Sequence, residues 1–236
     1  MQFIFDNLIA VMVSASLAVI LLTQQTSTRQ DAIERQSVYS AKVQSLGFAE
    51  WLERDIVKLG ARFGEDRNRF TPTAPVVRNG VSFTTGFEFA YNERENNDGT
   101  VDRVQIRYTL VRTDSSLVAR AAGAAPARYV ALYRLNRAER TGRWKKNVGW
   151  VGADGTAAPT PAYVPDPTRG SPAGLSHFYI EPRTSNGAAL PPARAAEADY
   201  IHVQFSVLPT LFPVHKARFV RETGLNWAST FEIRPF

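Results

Sequence analysis

The feature that most constrains this chain is an apolar N-terminal run that continues, without a proline, into a polar and then amphipathic helical pattern. Residues 8–22 carry no charge. The apolar residues at positions 3–5 extend the run to about 20 residues, which is the length that spans a bilayer. The sequence therefore predicts that residues 1–23 are the membrane-embedded first half of a long N-terminal helix.

A cleaved secretory signal peptide is the first alternative to a membrane anchor. It requires a basic region before the apolar run, whereas the charge upstream of the run is the acidic Asp6. The small residues of the segment SASLA lie inside the apolar run rather than after it. The sequence therefore favours an anchor that is not cleaved at this segment.

Asp6 is the unusual residue of the apolar run. A carboxylate at the edge of a membrane segment is costly and usually has a partner. In a helical filament, one candidate for that partner is the free amino terminus of a neighbouring subunit. The alternative is that Asp6 lies in the headgroup region or caps the start of the helix, where an acid complements the helix dipole. The residue types leave both interpretations open.

Residues 24–64 form the second, amphipathic half of the predicted helix, so that one nearly continuous helix runs from Phe3 to Phe63. Gly60 and Gly64 supply stop signals, and Gly47 is the position where a bend is least surprising. Apolar side chains recur at spacings of three and four residues, which indicates one stripe that packs against the globular part. The predicted helix–sheet packing residues are Tyr39, Val43, Leu46, Leu52, Ile56, Leu59 and Phe63.

The apolar period changes from helical to alternating after Gly80, which predicts an antiparallel β domain within residues 65–236. Segments 81–92 and 101–112 flank a hairpin turn at Asp98-Gly99. The second segment predicts a sheet with one buried and one solvated side. Its two faces consist of Val104, Ile106, Tyr108 and Leu110 on the buried side, and of Arg103, Gln105, Arg107 and Thr109 on the solvated side.

Further strands are predicted at residues 127–137, 175–182 and 199–209, with long surface loops at about 148–174 and 183–198. The predicted strand at 199–209 has the clearest alternation, and one of its faces consists of Ile201, Val203, Phe205 and Val207. The predicted fold class is therefore α+β, with a long N-terminal helix packed on an antiparallel β-sheet.

The sequence carries no recognisable catalytic pattern. It has 0 cysteines, which excludes disulfides and thiol chemistry, and its three histidines lack an acidic or histidine partner at metal-ligand spacing. No nucleophile elbow, phosphate-binding glycine loop or HExxH motif occurs. We therefore expect no catalytic residue, metal, cofactor or small-molecule substrate, and we expect that the protein is not an enzyme.

The segment RLNRAERTGRWKK is the densest basic part of a chain with a formal net charge of +6. Cations beside an aromatic ring can hold a nucleic-acid strand by phosphate contact and stacking. Glu139 interrupts the cluster, so a charged hairpin is the favoured interpretation and DNA contact is the alternative. The candidate nucleic-acid residues are Arg134, Arg137, Arg143, Trp144, Lys145 and Lys146.

In this layout the chain resembles the type IV pilin-like subunits, and in detail the W-type minor pilins and the J-type pseudopilins of type II secretion. GFAEWLERDIVKLGARF (residues 47–63) is similar to the stretch where that family ends its helix. VQIRYTLVR and YVALYRLNR resemble the paired strands of the family, the second with an aromatic-arginine step at Tyr133-Arg134. The terminal ASTFEIRPF resembles its closing strand.

The resemblance implies a structural subunit that assembles through its N-terminal helix. Asp6 would stand for the acid that guides assembly, and Phe3, Phe5 and Leu8 would lie in the filament core. The family places this acid at the fifth residue of the mature chain, which Asp6 becomes if Gln2 is the first residue.

The implied partners are other pilin or pseudopilin subunits of the same filament. The implied location is a single pass through the bacterial inner membrane with a periplasmic C-terminal domain, followed by the filament or cell surface after assembly. The alternative function is a single-pass, membrane-anchored extracytoplasmic module that binds a ligand or DNA and has no role in assembly.

Overall fold

The computed structural model describes residues 2–59, 70–78, 81–119, 128–172, 174–211, 219–220 and 225–233. The chain forms two compact units, Met1–Ser40 and Ala41–Phe236, so the boundary falls inside the predicted segment 24–64. The elements are α1 (Gln2–Val57), β1 (Phe70–Pro72), β2 (Val76–Arg78), β3 (Val81–Phe83), β4 (Gly86–Glu95), β5 (Thr100–Ala119), β6 (Arg128–Lys145), β7 (Gly149–Val151), β8 (Val164–Asp166), β9 (Leu175–Arg183), β10 (Tyr200–Val207), β11 (Thr210–Leu211), β12 (Phe219–Val220) and β13 (Leu225–Glu232).

The predicted N-terminal helix is present as α1, which passes through Thr23 and Gly47 without interruption. It ends at Val57, earlier than predicted, and Leu59 closes a turn by donating its N–H to the carbonyl of Ile56 at 2.9 Å. Phe63, the last predicted packing residue, lies outside the described residues. The long N-terminal helix of the predicted α+β fold is thus confirmed.

The first unit consists of helix alone in its described residues. Its large apolar side chains between Leu8 and Leu22 are 53% to 68% exposed. Within the described part of the chain, α1 is the one helix long and apolar enough to cross a membrane. Ser16 fits this environment because its hydroxyl donates to the carbonyl of Met12 at 2.8 Å, inside the helix itself.

The buried face of α1 and of the turn after it differs from the predicted stripe. Leu52, Ile56 and Leu59 are buried as expected, but Tyr39, Val43 and Leu46 are 70%, 50% and 50% exposed. At about 100° per residue, these three residues point away from the face that carries Leu52. The predicted stripe therefore combined residues from two opposite faces of the helix. The face that is buried begins with small side chains. The buried face consists of Ala41, Ser45, Phe48, Ala49, Leu52, Asp55, Ile56 and Leu59.

The strands of the described residues form one large sheet with the order β1-β4-β5-β6-β9-β10-β13 and a separate β2–β3 ribbon. The neighbours in this order pair antiparallel, while β12 pairs parallel with β5. The predicted hairpin is confirmed as β4 and β5, and its turn contains Gly99 with a φ of +75°. The first strand begins at Gly86, where an added Cβ would lie 2.6 Å from the carbonyl oxygen of Tyr108.

The core lies where α1 covers the sheet. The predicted face of β10 is buried, and Phe205 meets the ring of Phe48 at 5.2 Å between centroids. On β4 and β5, Phe87 stacks on Tyr108 at 4.8 Å. The opposite face of β5 is less solvated than predicted, because Trp144 covers Arg103, whose guanidinium lies 3.5 Å from the indole centroid.

Three predicted features between residues 127 and 198 require correction. The strand predicted at 127–137 continues to Lys145 as β6. The predicted loop at 148–174 contains β7, β8 and a short 3₁₀ turn at Pro167–Arg169, while the loop at 183–198 contains a second one at Pro192–Glu197. Glycine and proline marked residues 148–174 as a loop, but β7 and β8 within it pair with the edge of β6.

Candidate functional site

A buried ion pair joins the end of α1 to the centre of the sheet. The Nε of Arg137 donates to the Asp55 carboxylate at 2.7 Å, and the two side chains are 1% and 5% exposed. The Tyr108 hydroxyl donates to the same carboxylate oxygen at 2.7 Å. Because each group lies on a different element, α1, β5 and β6 are held together by one polar centre.

Two further carboxylates surround the guanidinium of Arg137. Its Nη2 donates to Glu139 at 2.8 Å and its Nη1 to Asp166 of β8 at 3.2 Å. Arg169 lies 3.4 Å from the same oxygen of Asp166 and places its guanidinium over the Trp51 ring of α1 at 4.6 Å. We call Asp55, Tyr108, Arg137, Glu139 and Asp166 the Arg137 cluster.

The electrostatics of the Arg137 cluster follow from its burial. Burial raises the pKa of Tyr108 well above its usual value, and the neighbouring Asp55 carboxylate raises it further. Burial alone lowers the pKa of Arg137, but its hydrogen bonds to Asp55 and Glu139 outweigh that effect and raise the pKa. The Thr168 hydroxyl lowers the pKa of Asp166. The cluster thus contains ionised Arg137 and Asp166 beside a neutral Tyr108.

The reverse face of the sheet carries stacked guanidinium and aromatic groups. The Tyr163 ring lies between Arg107 at 4.0 Å and Arg140 at 4.4 Å. Arg107 also donates to Glu88 at 2.9 Å. Burial and the Glu88 carboxylate raise the pKa of Tyr163. These contacts hold the chain after β7 against the sheet and leave Arg107 paired rather than available to an anion.

The structure does not bring the candidate nucleic-acid residues together. Arg137 is the buried centre of its cluster, so its assignment to a nucleic-acid surface was wrong. Arg134 donates to the carbonyl of Pro167 at 3.2 Å, and Arg143 pairs with Asp98 and with the carbonyl of Ala153. Trp144 is covered on one face by Arg103, while Lys145 and Lys146 are exposed at the turn after β6.

The candidate assembly residues lie at the start of α1. Phe3, Phe5 and Asp6 belong to the helix by their backbone, but their side chains lie outside the described part of the structure. Leu8 is 57% exposed. Among the described residues, no group of three or more histidine or acidic side chains is arranged to hold a metal ion.

Sequence reasoning missed the Arg137 cluster, although two signals pointed to it. Asp55 lies between Leu52 and Ile56 on a helix face that is otherwise apolar, so it needed a buried partner. Arg137 alternates with Leu135 and Tyr133 on the inward side of β6. An acid and an arginine that both occupy inward positions are the expected components of a buried ion pair.

Comparisons with protein-family models, with curated proteins and with solved structures find no significant match to this chain.

Proposed function

We propose that this protein is a structural subunit of a type IV pilus or type II secretion-like filament, of the minor pilin or pseudopilin kind. The observation that supports this proposal is one helix with two different environments. Its first part is apolar and exposed, while its last part is a buried component of a β domain. A helix of this kind anchors the subunit in the inner membrane before assembly and supplies the filament contact afterwards.

The Arg137 cluster has a defined task in such a subunit. A filament transmits force along the helices of its subunits, and that force must pass from α1 into the β domain. Apolar burial alone resists sliding poorly because it is not directional. Hydrogen bonds from Arg137 and Tyr108 to Asp55 are directional and fix the register of α1 on β5 and β6. The β domain would lie in the periplasm and then on the filament.

Replacing Asp6 by alanine tests the proposal. If Asp6 compensates the terminal amine of a neighbouring subunit, the variant should still insert in the membrane but should be lost from sheared filament fractions. Asp31→Ala is the matched control, because Asp31 is an exposed acid of the same helix outside the apolar run. Immunoblots of membrane and filament fractions measure both variants.

The same experiment decides against the alternative function. A membrane-anchored binding module without an assembly role predicts that Asp6→Ala and Asp31→Ala distribute alike, with the wild-type chain confined to the membrane fraction. That result would reject the filament proposal and leave the anchored binding module as the better interpretation.

A further inference from the structure

Residues 161–169 cross the edge of β6 from one face of the sheet to the other. We call this segment the strap. Tyr163 lies on one face, between Arg107 and Arg140. Asp166 lies on the other face, where it accepts from Arg137 at 3.2 Å. This crossing follows from the alternation of side chains along β6, since Arg137 and Arg140 are an odd number of positions apart.

The strap is attached to the sheet by few backbone interactions. Only three residue pairs join it to β6: Arg137 with Asp166, Ala138 with Pro165, and Glu139 with Val164. A surface cleft of about 560 Å³ is lined by strap residues and by the β6 residues Arg137, Glu139, Arg140 and Thr141. Protein interiors are normally close-packed, so along this cleft the strap is held by individual contacts rather than by a continuous core.

Side-chain interactions at three points supply the remaining attachment of the inner end, and one of them is the hydrogen bond from Arg134 to the carbonyl of Pro167 at 3.2 Å. Asp166 pairs with Arg137 and Arg169, and Arg169 stacks on Trp51. Asp55 and Glu139 stay on Arg137 when Asp166 leaves, so opening of the strap leaves no buried charge without a partner. The free-energy cost of leaving a buried charge unpaired, which normally opposes the separation of an ion pair, is therefore absent.

We propose that the strap opens and closes as a unit over the Asp55–Arg137 pair, with Asp166 as its latch. Opening requires the loss of the short ladder, of the hydrogen bonds from Arg137 to Asp166 and from Arg134 to Pro167, and of the aromatic contacts made by Arg169 and Tyr163, while the core of the β domain stays folded. Water then reaches Arg137 and weakens its attraction to Asp55 by raising the local dielectric constant. Strap opening thus controls how firmly α1 is held on the sheet, whatever the protein assembles with.

Hydrogen–deuterium exchange of the full chain in detergent micelles, read by mass spectrometry, tests the proposal. Asp166→Asn keeps the shape of the latch but removes its charge. We expect amide exchange at Val164 and Asp166 to rise by about tenfold, because a charge-assisted hydrogen bond is lost. Exchange in β10 should stay at the wild-type rate.

Asp154→Asn is the matched control. Asp154 accepts from the N–H of Thr156 at 3.1 Å and from its hydroxyl at 2.8 Å, as Asp166 does from Thr168 at 3.2 and 2.6 Å. Among the described residues, Asp154 makes no ion pair within 4 Å. Asp154→Asn should therefore change exchange around Thr156 and leave the strap unaffected.

A disulfide lock provides the second measurement. Ala138 and Pro165 are direct partners in the ladder, and the natural chain has 0 cysteines, so A138C with P165C introduces a single thiol pair. In the Asp166→Asn background, the oxidised lock should return strap exchange to the wild-type rate or below, and reduction should reverse this. The proposal is overturned if Asp166→Asn leaves strap exchange unchanged, if exchange rises equally in β10, or if the oxidised lock does not slow it.

Discussion

The two parts of α1 place apolar side chains in opposite environments. Between Leu8 and Leu22 the large apolar side chains are 53% to 68% exposed, whereas Phe48, Leu52 and Ile56 are 3%, 0% and 3% exposed. The apolar side chains of the later part are thus buried within the same chain. The earlier part leaves an apolar surface that lipid or other protein must cover, because contiguous apolar patches of this size are rare on soluble monomers.

The polar groups of the two parts differ in the same way. Ser16 satisfies its hydroxyl within the helix, at the carbonyl of Met12. Asp55 depends on Tyr108 of β5 and Arg137 of β6. At Ser16 the first part therefore depends on no other element of the chain, and under the proposed function it is the part that moves from lipid into the filament. The last part cannot leave the sheet without breaking a buried ion pair, so the helix has one transferable part and one fixed part.

The largest effect expected on the fixed part is that of Arg137→Ala. It leaves the buried Asp55 carboxylate without its cation, so we expect a loss of about 3–5 kcal/mol in the free energy of unfolding. Urea unfolding of the full chain in detergent, followed by tryptophan fluorescence, measures it. Arg194→Ala is the control: it removes an arginine from an exposed pair with Glu197 and should leave the midpoint unchanged.

A double variant separates stability from specificity in this pair. Asp55→Leu with Arg137→Met replaces the ion pair by apolar side chains and should recover most of the stability lost in Arg137→Ala. A double variant as unstable as Arg137→Ala would show that Tyr108 and Asp166, rather than the unpaired Asp55, dominate the loss.

The next effect compares the same substitution in the two parts of α1. Leu52→Ala creates a cavity in the core and should lower the free energy of unfolding by about 2–5 kcal/mol. Leu17→Ala removes a side chain that is 55% exposed and should leave the same urea midpoint unchanged. An equal loss in both variants would contradict the division of α1 into a transferable and a fixed part.

The sequence predicted the elements of this fold better than their contacts. The long helix, the β4–β5 hairpin and the buried face of β10 follow from local periodicity, which is readable one segment at a time. The predicted buried face of the helix was wrong at Tyr39, Val43 and Leu46. The prediction selected large apolar residues, whereas α1 buries the small Ala41 and Ser45.

The candidate site was harder to predict because its members come from separated elements. Asp55 and Arg137 are 82 positions apart, and each reads locally as a surface charge. Only the strand pairing that brings Arg137 opposite Tyr108 places them together. Arg137 was assigned to a basic surface because its neighbours in sequence are basic, although alternation along β6 turns its side chain inward.

A smaller effect on the fixed part concerns Tyr108→Phe. It removes the hydrogen bond to Asp55, and bonds to charged groups contribute about 1.5–3 kcal/mol. The pKa of Tyr108 is raised in the fold from its ordinary 10.0, so its contribution is fully present below about pH 10 and is lost as pH rises through the folded value.

The pH dependence distinguishes this role from simple packing. Wild-type stability should fall above about pH 10, and Tyr108→Phe should show a shallower fall over the same range. Residues 8–22 carry no titratable group, so partition of this segment into micelles should not change with this pH. Equal slopes for the wild-type protein and Tyr108→Phe would assign the loss of stability above pH 10 to other tyrosines. Tyr91 and Tyr163 also have raised pKa values.

The smallest expected effect is a gain in stability at Gly47, in the last part of α1. A Cβ added at Gly47 meets nothing within 4 Å, and alanine is favoured over glycine in a helix interior by about 0.5–1 kcal/mol. Gly47→Ala should therefore raise the urea midpoint slightly, whereas Gly86→Ala should lower it, because its Cβ would meet the Tyr108 carbonyl oxygen at 2.6 Å. If Gly47→Ala lowers the midpoint, α1 must bend at this position in solution, and the boundary between its two parts would move from Ser40 to Gly47.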